Sequence, residues 1–319
     1  MLLREAFVLV GPTASGKSDV GHLLAERMQG AILSADSMLV YKGMDIGTAK
    51  PPASSRGSIP YLGIDLISPE QDFDVWRYLQ LVGDQVAALP ADKPVLVVGG
   101  SGLYVKALTQ GLDPHIAAPV ERERWEQVYA EHGVAGLQAI LQERDPTALH
   151  ALSDPHNPRR LIRAIEQMVA KESRVAAPSN EVQRNWACDT YASPFAGLLP
   201  DNMPLRARIA DRVEKMYAVG LLREARKLRE AYPLLSNTAS QAIGYREAFA
   251  LLDGVLDVTA AQERTIIRTN RLAKRQRTWF RHQARVEWLA PGPEQDVEHL
   301  ASEVEKIWRK YGPIQLRLP

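Results

Sequence analysis

Gly11-Pro12-Thr13-Ala14-Ser15-Gly16-Lys17-Ser18 is a complete G-x-x-x-x-G-K-[ST] loop, and its surroundings decide the fold. The run Ala6-Phe7-Val8-Leu9-Val10 before it reads as a buried strand. Residues 19–28 after it read as a helix, with Val20, Leu23 and Leu24 at helical spacing. Strand, loop and helix in that order separate a phosphate-binding loop from a chance match. Glycines let backbone N–H groups turn inward, and the helix start adds its positive dipole end. Lys17 adds a full charge, and the Ser18 hydroxyl can share a Mg²⁺ with phosphate oxygens. A di- or triphosphate is the expected ligand. The loop alone leaves open whether that phosphate belongs to a nucleotide.

Outward from the loop, strand-like and helix-like runs alternate. Ala31-Ile32-Leu33-Ser34-Ala35 is a short apolar strand that ends at Asp36. Pro94-Val95-Leu96-Val97-Val98 is another, ending at Gly99-Gly100, and residues 73–89 between them carry helical spacing. This alternation predicts an α/β fold: a P-loop core with a parallel sheet flanked by helices. Ligands in such sheets gather beyond the strand C-terminal ends, so the loop, Asp36 and residues 99–104 should converge. Asp36 there can bind Mg²⁺, act as a general base, or cap the next segment. Residues 41–50, with two glycines and no periodicity, read as a loop walling the site.

Three parts are expected. Residues 1–117 form the first part of the core. Residues 118–193 form a mainly helical insertion, with helices at 120–132, 134–144 and 158–171 and a polar, irregular stretch at 172–185. Residues 194–319 form the remainder of the core. This C-terminal part reads as helical, with one strand signal ending near Leu199 and a last helix at 296–311.

The whole-chain composition excludes several classes. Its 319 residues, 45% hydrophobic and 24% charged, are those of an ordinary globular protein. The single Cys188 rules out an internal disulfide and a multi-cysteine zinc site, and it fits a reducing compartment. No targeting segment or membrane-spanning run is read, so a cytoplasmic protein with no membrane partner is expected. The seven histidines show no metal-ligand pairing. Net charge is only +1, but residues 262–285 hold eight Lys/Arg against one acid, Glu263. Such local asymmetry can be an electrostatic footprint, the other reading being a plain solvated face. On a helical wheel Arg264, Arg268, Arg271 and Arg275 form one stripe, with Lys274, Arg281 and Arg285 beside it. Ile266, Leu272, Ala273, Trp279 and Phe280 gather on the other side. Such a helix can pack by one face and offer cations to phosphates by the other.

Six stretches in order carry a resemblance: GPTASGKS (11–18), SADSMLVYKGMDIGTAKP (34–51), VVGGSGLYVKAL (97–108), DPHNPRRLIRAIE (154–166), QAIGYRE (241–247) and AKRQRTWFR (273–281). The chain resembles the tRNA dimethylallyltransferases, the isopentenyltransferases (IPP transferases) of tRNA, from residue 6 to about 285. The resemblance implies that dimethylallyl diphosphate donates its allylic group to N6 of adenosine 37, beside the anticodon. The loop then cradles a diphosphate leaving group rather than a nucleotide triphosphate. It implies a donor site of Gly11, Pro12, Thr13, Ala14, Ser15, Gly16, Lys17 and Ser18, with Mg²⁺ as cofactor on Ser18. Asp36 is implied as the group that takes the N6 proton, with Lys17, Ser18, Thr13, Ser101 and Arg208 as further catalytic residues. Arg206 or Arg212 could serve in place of Arg208. Ser101 stands where the family usually has Thr.

The implied partner is the tRNA anticodon stem-loop, bound by a monomer. Its implied contacts are Asp36, Ser37, Met38, Leu39 and Ser101 near the strand ends, and Arg122, Arg159, Arg160, Leu161, Ile162 and Arg163 in the insertion. Gln241, Ala242, Ile243, Gly244, Tyr245 and Arg246 follow, then Lys274, Arg275, Gln276, Arg277, Thr278 and Trp279. Trp279 could stack on a base, but its place on the wheel favours core packing. The chain departs from the family at residues 60–65, where a His-rich stretch is usual, and at 199–204. A kinase using ATP would account for the loop but not for residues 241–246 or the basic helix. A relative that binds RNA without catalysis would have no need of Lys17, Ser18 and Asp36. An enzyme of free adenine nucleotides would have no need of the basic surface.

Overall fold

Near-continuous apolar runs build a central sheet, because its strands are covered on both faces. The computed structural model describes residues 2–111, 119–152, 154–174, 193–292 and 296–319. From the N-terminus come β1 (Leu2–Val10), α1 (Lys17–Arg27), β2 (Ala31–Ala35), β3 (Tyr61–Leu62), α2 (Val75–Ala87), β4 (Val95–Gly99) and α3 (Gly102–Gln110). Three helices follow: α4 (Pro119–Arg144), α5 (Pro146–Ala151) and α6 (Pro158–Arg174). The chain then forms β5 (Phe195–Leu198), α7 (Asn202–Val219), α8 (Leu221–Ala231), α9 (Asn237–Ser240), α10 (Tyr245–Leu252), α11 (Val258–Gln283), β6 (Val286–Leu289), α12 (Val297–Tyr311) and β7 (Ile314–Leu318).

The described strands lie in the order β3-β2-β4-β1-β5-β6, all parallel. β1 is therefore the point where the order reverses, the place at which such sheets bind ligands. The register brings the site together. Gly99 lies opposite both Val10 and Ala35, so the residues after these strands leave the sheet at one level. Side chains of β1 alternate between two cores. Ala6, Val8 and Val10 face one with Tyr78, Val105, Tyr245 and Phe280; Leu9 faces the other with Val20, Leu24, Val304 and Trp308.

The sheet departs from the purely parallel expectation at β7. This strand pairs antiparallel with the first half of β1, from Leu2 opposite Leu318 to Ala6 opposite Ile314. Its alternation Ile314-Gln315-Leu316-Arg317-Leu318 is a strand pattern, with Leu316 and Leu318 buried. The sequence-based expectation for this tail is a helix alone, at 296–311. β6 is likewise additional to the expected elements.

The chain divides into two compact units, Met1–Leu112 with Trp186–Pro319, and Asp113–Asn185. The expected boundary at 117/118, Cys188 and most of the 172–185 stretch lie outside the described residues. The smaller unit is helical, as expected of the insertion. α4 breaks at Gly133 (φ 63°, ψ −159°), which separates the two expected helices. Trp125, Leu137 and Leu141 of α4 form a core with Leu161, Ile165 and Met168 of α6. Among the described residues no helix is long and apolar enough to cross a membrane.

Candidate active site

The loop between β1 and α1 is held in a wide turn. Gly16 precedes α1 with φ +90°, a conformation that glycine adopts without a Cβ penalty. The Lys17 ammonium donates to the Pro12 carbonyl at 3.2 Å, and the Ser15 N–H donates to the same carbonyl at 3.3 Å. The Ser15 hydroxyl is buried and without a hydrogen-bond partner among the described residues. Ser18 is exposed at the first turn of α1, where helix N–H groups lack intrahelical acceptors. Burial pushes the Lys17 ammonium down to about 8; Asp36 opposes that shift and Arg212 reinforces it. Lys17, Asp36 and Arg212 thus share one electrostatic neighbourhood.

Arg212 is the α7 cation that meets the loop. Its guanidinium donates to the Thr13 hydroxyl at 3.1 Å and to the Thr48 carbonyl at 3.4 Å. Of the three arginines the resemblance offered, Arg212 bonds Thr13, while Arg208 is half-buried on the same helix. The two lie one helical turn apart on the same face, so spacing alone does not choose between them. Burial pulls the Arg212 guanidinium below its ordinary value, against the pull of Asp36 and Asp19. A cavity of about 760 Å³ opens between α7 and residues 45–56, with Arg212, Ile46, Lys50 and Met216 among its walls.

Asp36 sits half-buried just past β2. One carboxylate oxygen accepts the Met38 N–H at 2.8 Å, which orients the side chain. Ser101 leaves β4 beside it. The Ser101 hydroxyl accepts the Ser37 N–H at 3.2 Å, and the Ser101 N–H donates to the Ala35 carbonyl at 3.1 Å. These bonds join the two strand ends that carry Asp36 and Ser101. Met38 and Leu39 are half-buried on the same segment.

The wall at 41–50 is braced from inside. Lys50 is buried and donates to the Tyr41 carbonyl at 2.7 Å, to Asp45 at 2.7 Å and to Asp65 at 2.6 Å. From α8, Glu224 accepts the N–H groups of Ile46 and Gly47 and the hydroxyl of Tyr245. Glu224 carries no signal in the sequence, where it is one more acid on an amphipathic helix.

Several residues read as tRNA contacts turn inward. Ala242, Gly244 and Tyr245 are buried; Tyr245 packs in the main core and bonds Gly47 and Glu224. Leu161 and Ile162 are buried in the core of the helical unit, since they fill the apolar stripe of α6. Gln276 is buried and accepts the Thr13 N–H at 2.8 Å. Arg268 points into an ion pair with the buried Glu247 and donates to the Gln241 carbonyl at 2.8 Å, so the outward stripe loses it. Trp279 is half-buried against Phe280, and a Cβ on Gly102 would strike its ring at 2.1 Å, which fits the core reading. Arg277 bonds Asn202, and Ile243 is half-buried.

Others face solvent. Gln241, Arg246, Arg264, Arg271, Lys274, Arg275, Thr278 and Arg281 are exposed in the larger unit. In the helical unit Arg159 and Arg160 are exposed, Arg122 pairs with Glu126 at 3.1 Å, and Arg163 lies 3.4 Å from Glu166.

Comparison with known proteins gives a consistent result. The family model described as IPP transferase matches residues 39–283. A tRNA dimethylallyltransferase of Nocardia farcinica is 37% identical over 290 residues, 90% of each chain. One from Desulforudis audaxviator is 37% identical over 310 residues, 97% of each. The solved tRNA isopentenylpyrophosphate transferase of Bacillus halodurans superposes with a TM-score of 0.65 at 32% identity, covering 96% of this chain and 97% of that one. A eukaryotic dimethylallyltransferase acting on tRNA shares the fold, with a TM-score of 0.71 at 22% identity over 90% of this chain and 74% of its own. A parallel sheet with its loop at the order reversal, a model spanning most of the chain and relatives of equal length agree: the chain belongs to the IPP transferase family.

Proposed function

We propose that this protein transfers the dimethylallyl group of dimethylallyl diphosphate to N6 of adenosine 37 in the anticodon stem-loop of tRNA and releases diphosphate. The observation that carries this reading is the convergence of loop 11–18, Arg212, Asp36 and Ser101 at the ends of β1, β2 and β4. In the reaction the allylic C–O bond breaks, the C–N bond forms and the N6 proton leaves. Asp36 takes that proton, since an exocyclic adenine amine is a weak nucleophile. Lys17, Arg212 and the first-turn N–H groups of α1 meet the charge that grows on the departing diphosphate. The buried, unpartnered Ser15 hydroxyl fits the same polar ligand.

Mg²⁺ fits this site through the exposed Ser18 hydroxyl. No cluster of three or more His, Cys, Asp or Glu stands among the described residues, so diphosphate oxygens and water would complete its shell. When bound it supplies further neutralisation of the diphosphate. For the RNA, the exposed Lys274, Arg275, Arg159 and Arg160 are suited to backbone phosphates.

Mass spectrometry of nucleosides from tRNA incubated with the protein, dimethylallyl diphosphate and Mg²⁺ tests the reading. One added dimethylallyl group on adenosine, with no ATP consumed, is the expected product; ATP consumption coupled to product would replace the reading with a kinase. Under single-turnover conditions Asp36→Ala should slow the chemical step by about 10²–10⁴-fold while tRNA still binds. A loss below about fivefold would remove the general-base role.

A further inference from the structure

Gln276 lies in the family stretch 273–281, yet its side chain turns to the phosphate-binding loop. It is 8% exposed, and its oxygen accepts the Thr13 N–H at 2.8 Å. Its amide nitrogen lies against Gly100, where an added Cβ would come within 2.6 Å. One turn further along α11, Trp279 covers Gly102. Two successive inward residues of α11 thus abut the two loops that leave β1 and β4. Thr13 is held twice from distant parts of the chain: its N–H by Gln276 on α11 and its hydroxyl by Arg212 on α7.

We propose that Gln276 is a positioning residue for the donor, fixing the entrance of loop 11–18 through the Thr13 N–H. The proposal rests on the reading of that loop as the diphosphate site. With the Thr13 N–H committed to Gln276, the diphosphate is left the N–H groups at the start of α1, which lack intrahelical acceptors. A loop held in its binding shape spares the ligand the cost of ordering it. Engagement of the amide oxygen by tRNA would break the bond to Thr13 and leave a part-buried N–H unpaired, which is unfavourable.

Gln276→Met keeps the length and burial of the side chain and removes the amide acceptor. Gln276→Asn keeps the amide one methylene short of Thr13 and provides the same measurement if the first variant folds poorly. Calorimetric titration with dimethylallyl diphosphate and with inorganic pyrophosphate, filter binding of tRNA, a thermal melt and steady-state kinetics are read together. The proposal expects both diphosphate ligands to weaken about tenfold, the effect of one lost hydrogen bond. The donor KM should rise by the same factor with kcat changed far less. The tRNA affinity should stay close to wild type, and the melting temperature should fall by only the few degrees that one unpaired N–H costs. Unchanged diphosphate affinity overturns the proposal, and a selective loss of tRNA affinity returns Gln276 to the RNA contacts. Equal loss of both ligands also overturns it, since that marks a general packing role. If wild type binds neither diphosphate ligand, the proposal falls together with the donor-site reading; if wild type binds and the variant matches it, the proposal falls alone.

Discussion

α6 and α11 both carry arginines that resemble tRNA contacts, and they divide their side chains by different rules. On α6, Arg159 and Arg160 are exposed while Leu161 and Ile162 are buried, and the buried polar Glu166 meets Arg163 of the same helix at 3.4 Å. On α11, Lys274 and Arg275 are exposed, but the inward residues include Arg268 and Gln276, bonded to Glu247 and Thr13. An inner face whose polar residue pairs within its own helix, as Glu166 does with Arg163, supplies core. A polar side chain on the inner face must find partners there, and on α11 those partners belong to the α10 start and the phosphate-binding loop. A stretch shared with a family can therefore hold residues that shape a site as well as residues that touch its ligand.

The largest effect that can break this contrast is in the α6 core. Leu161→Ala should cost about 2–5 kcal/mol of stability of the helical unit, through lost burial and the cavity left behind. Arg159→Ala should change stability by less than about 0.5 kcal/mol, as exposed substitutions do. Denaturant titration of the full chain measures both, and equal values would erase the inside–outside division of α6.

On α11 the corresponding comparison is Arg268 against Arg264. Arg268→Ala leaves the buried Glu247 carboxylate without its cation, a loss of about 1–3 kcal/mol. Arg264 is exposed, and its removal should be close to neutral. Two equally mild variants would show that Arg268 belongs to the outer stripe after all.

The pH dependence separates the loop from the arginine surfaces. Burial lowers Lys17 to about 8, so its cation is complete well below pH 8 and is lost as pH rises through that value. Affinity for dimethylallyl diphosphate should fall by up to about tenfold near pH 9. Exposed arginines stay charged across that range, so tRNA affinity should hold steady. Isothermal titration of each ligand from pH 7 to 9 gives the two curves. A donor curve that is flat would remove Lys17 from the diphosphate site.

The smallest effects belong to single exposed cations. Arg159→Ala, Arg160→Ala, Lys274→Ala and Arg275→Ala should each weaken tRNA a few-fold. Each should also flatten the slope of log affinity against log salt by about 0.7–0.9. Slopes unchanged by the α6 pair and flattened by the α11 pair would restrict the RNA surface to the larger unit.

Much of the site was legible because it is local. Ala31–Ala35 is a strand as expected, and loop 11–18 lies between β1 and α1 as its glycines and lysine required. Asp36 and Ser101 follow strand ends, and parallel register alone brings such residues to one edge. The tail strand β7 carries period-two alternation over only five residues, a weaker signal than the fifteen-residue helical period of α12 beside it.

By itself the chain of residues determined the α/β class, the phosphate-binding loop, the position of Asp36 and the basic character of α11, since each follows from a contiguous pattern. Only the tertiary structure decided that Arg212 rather than Arg208 meets Thr13, that Gln276 holds the loop, and that Glu224 and Lys50 brace the wall. Thr13 and its partners are 199 and 263 residues apart in the chain, and Glu224 lies 178 residues from Ile46. Periodicity states which face of a helix turns inward. It carries no information about which distant backbone group that face will meet, because that is set by how the helices pack on the finished sheet.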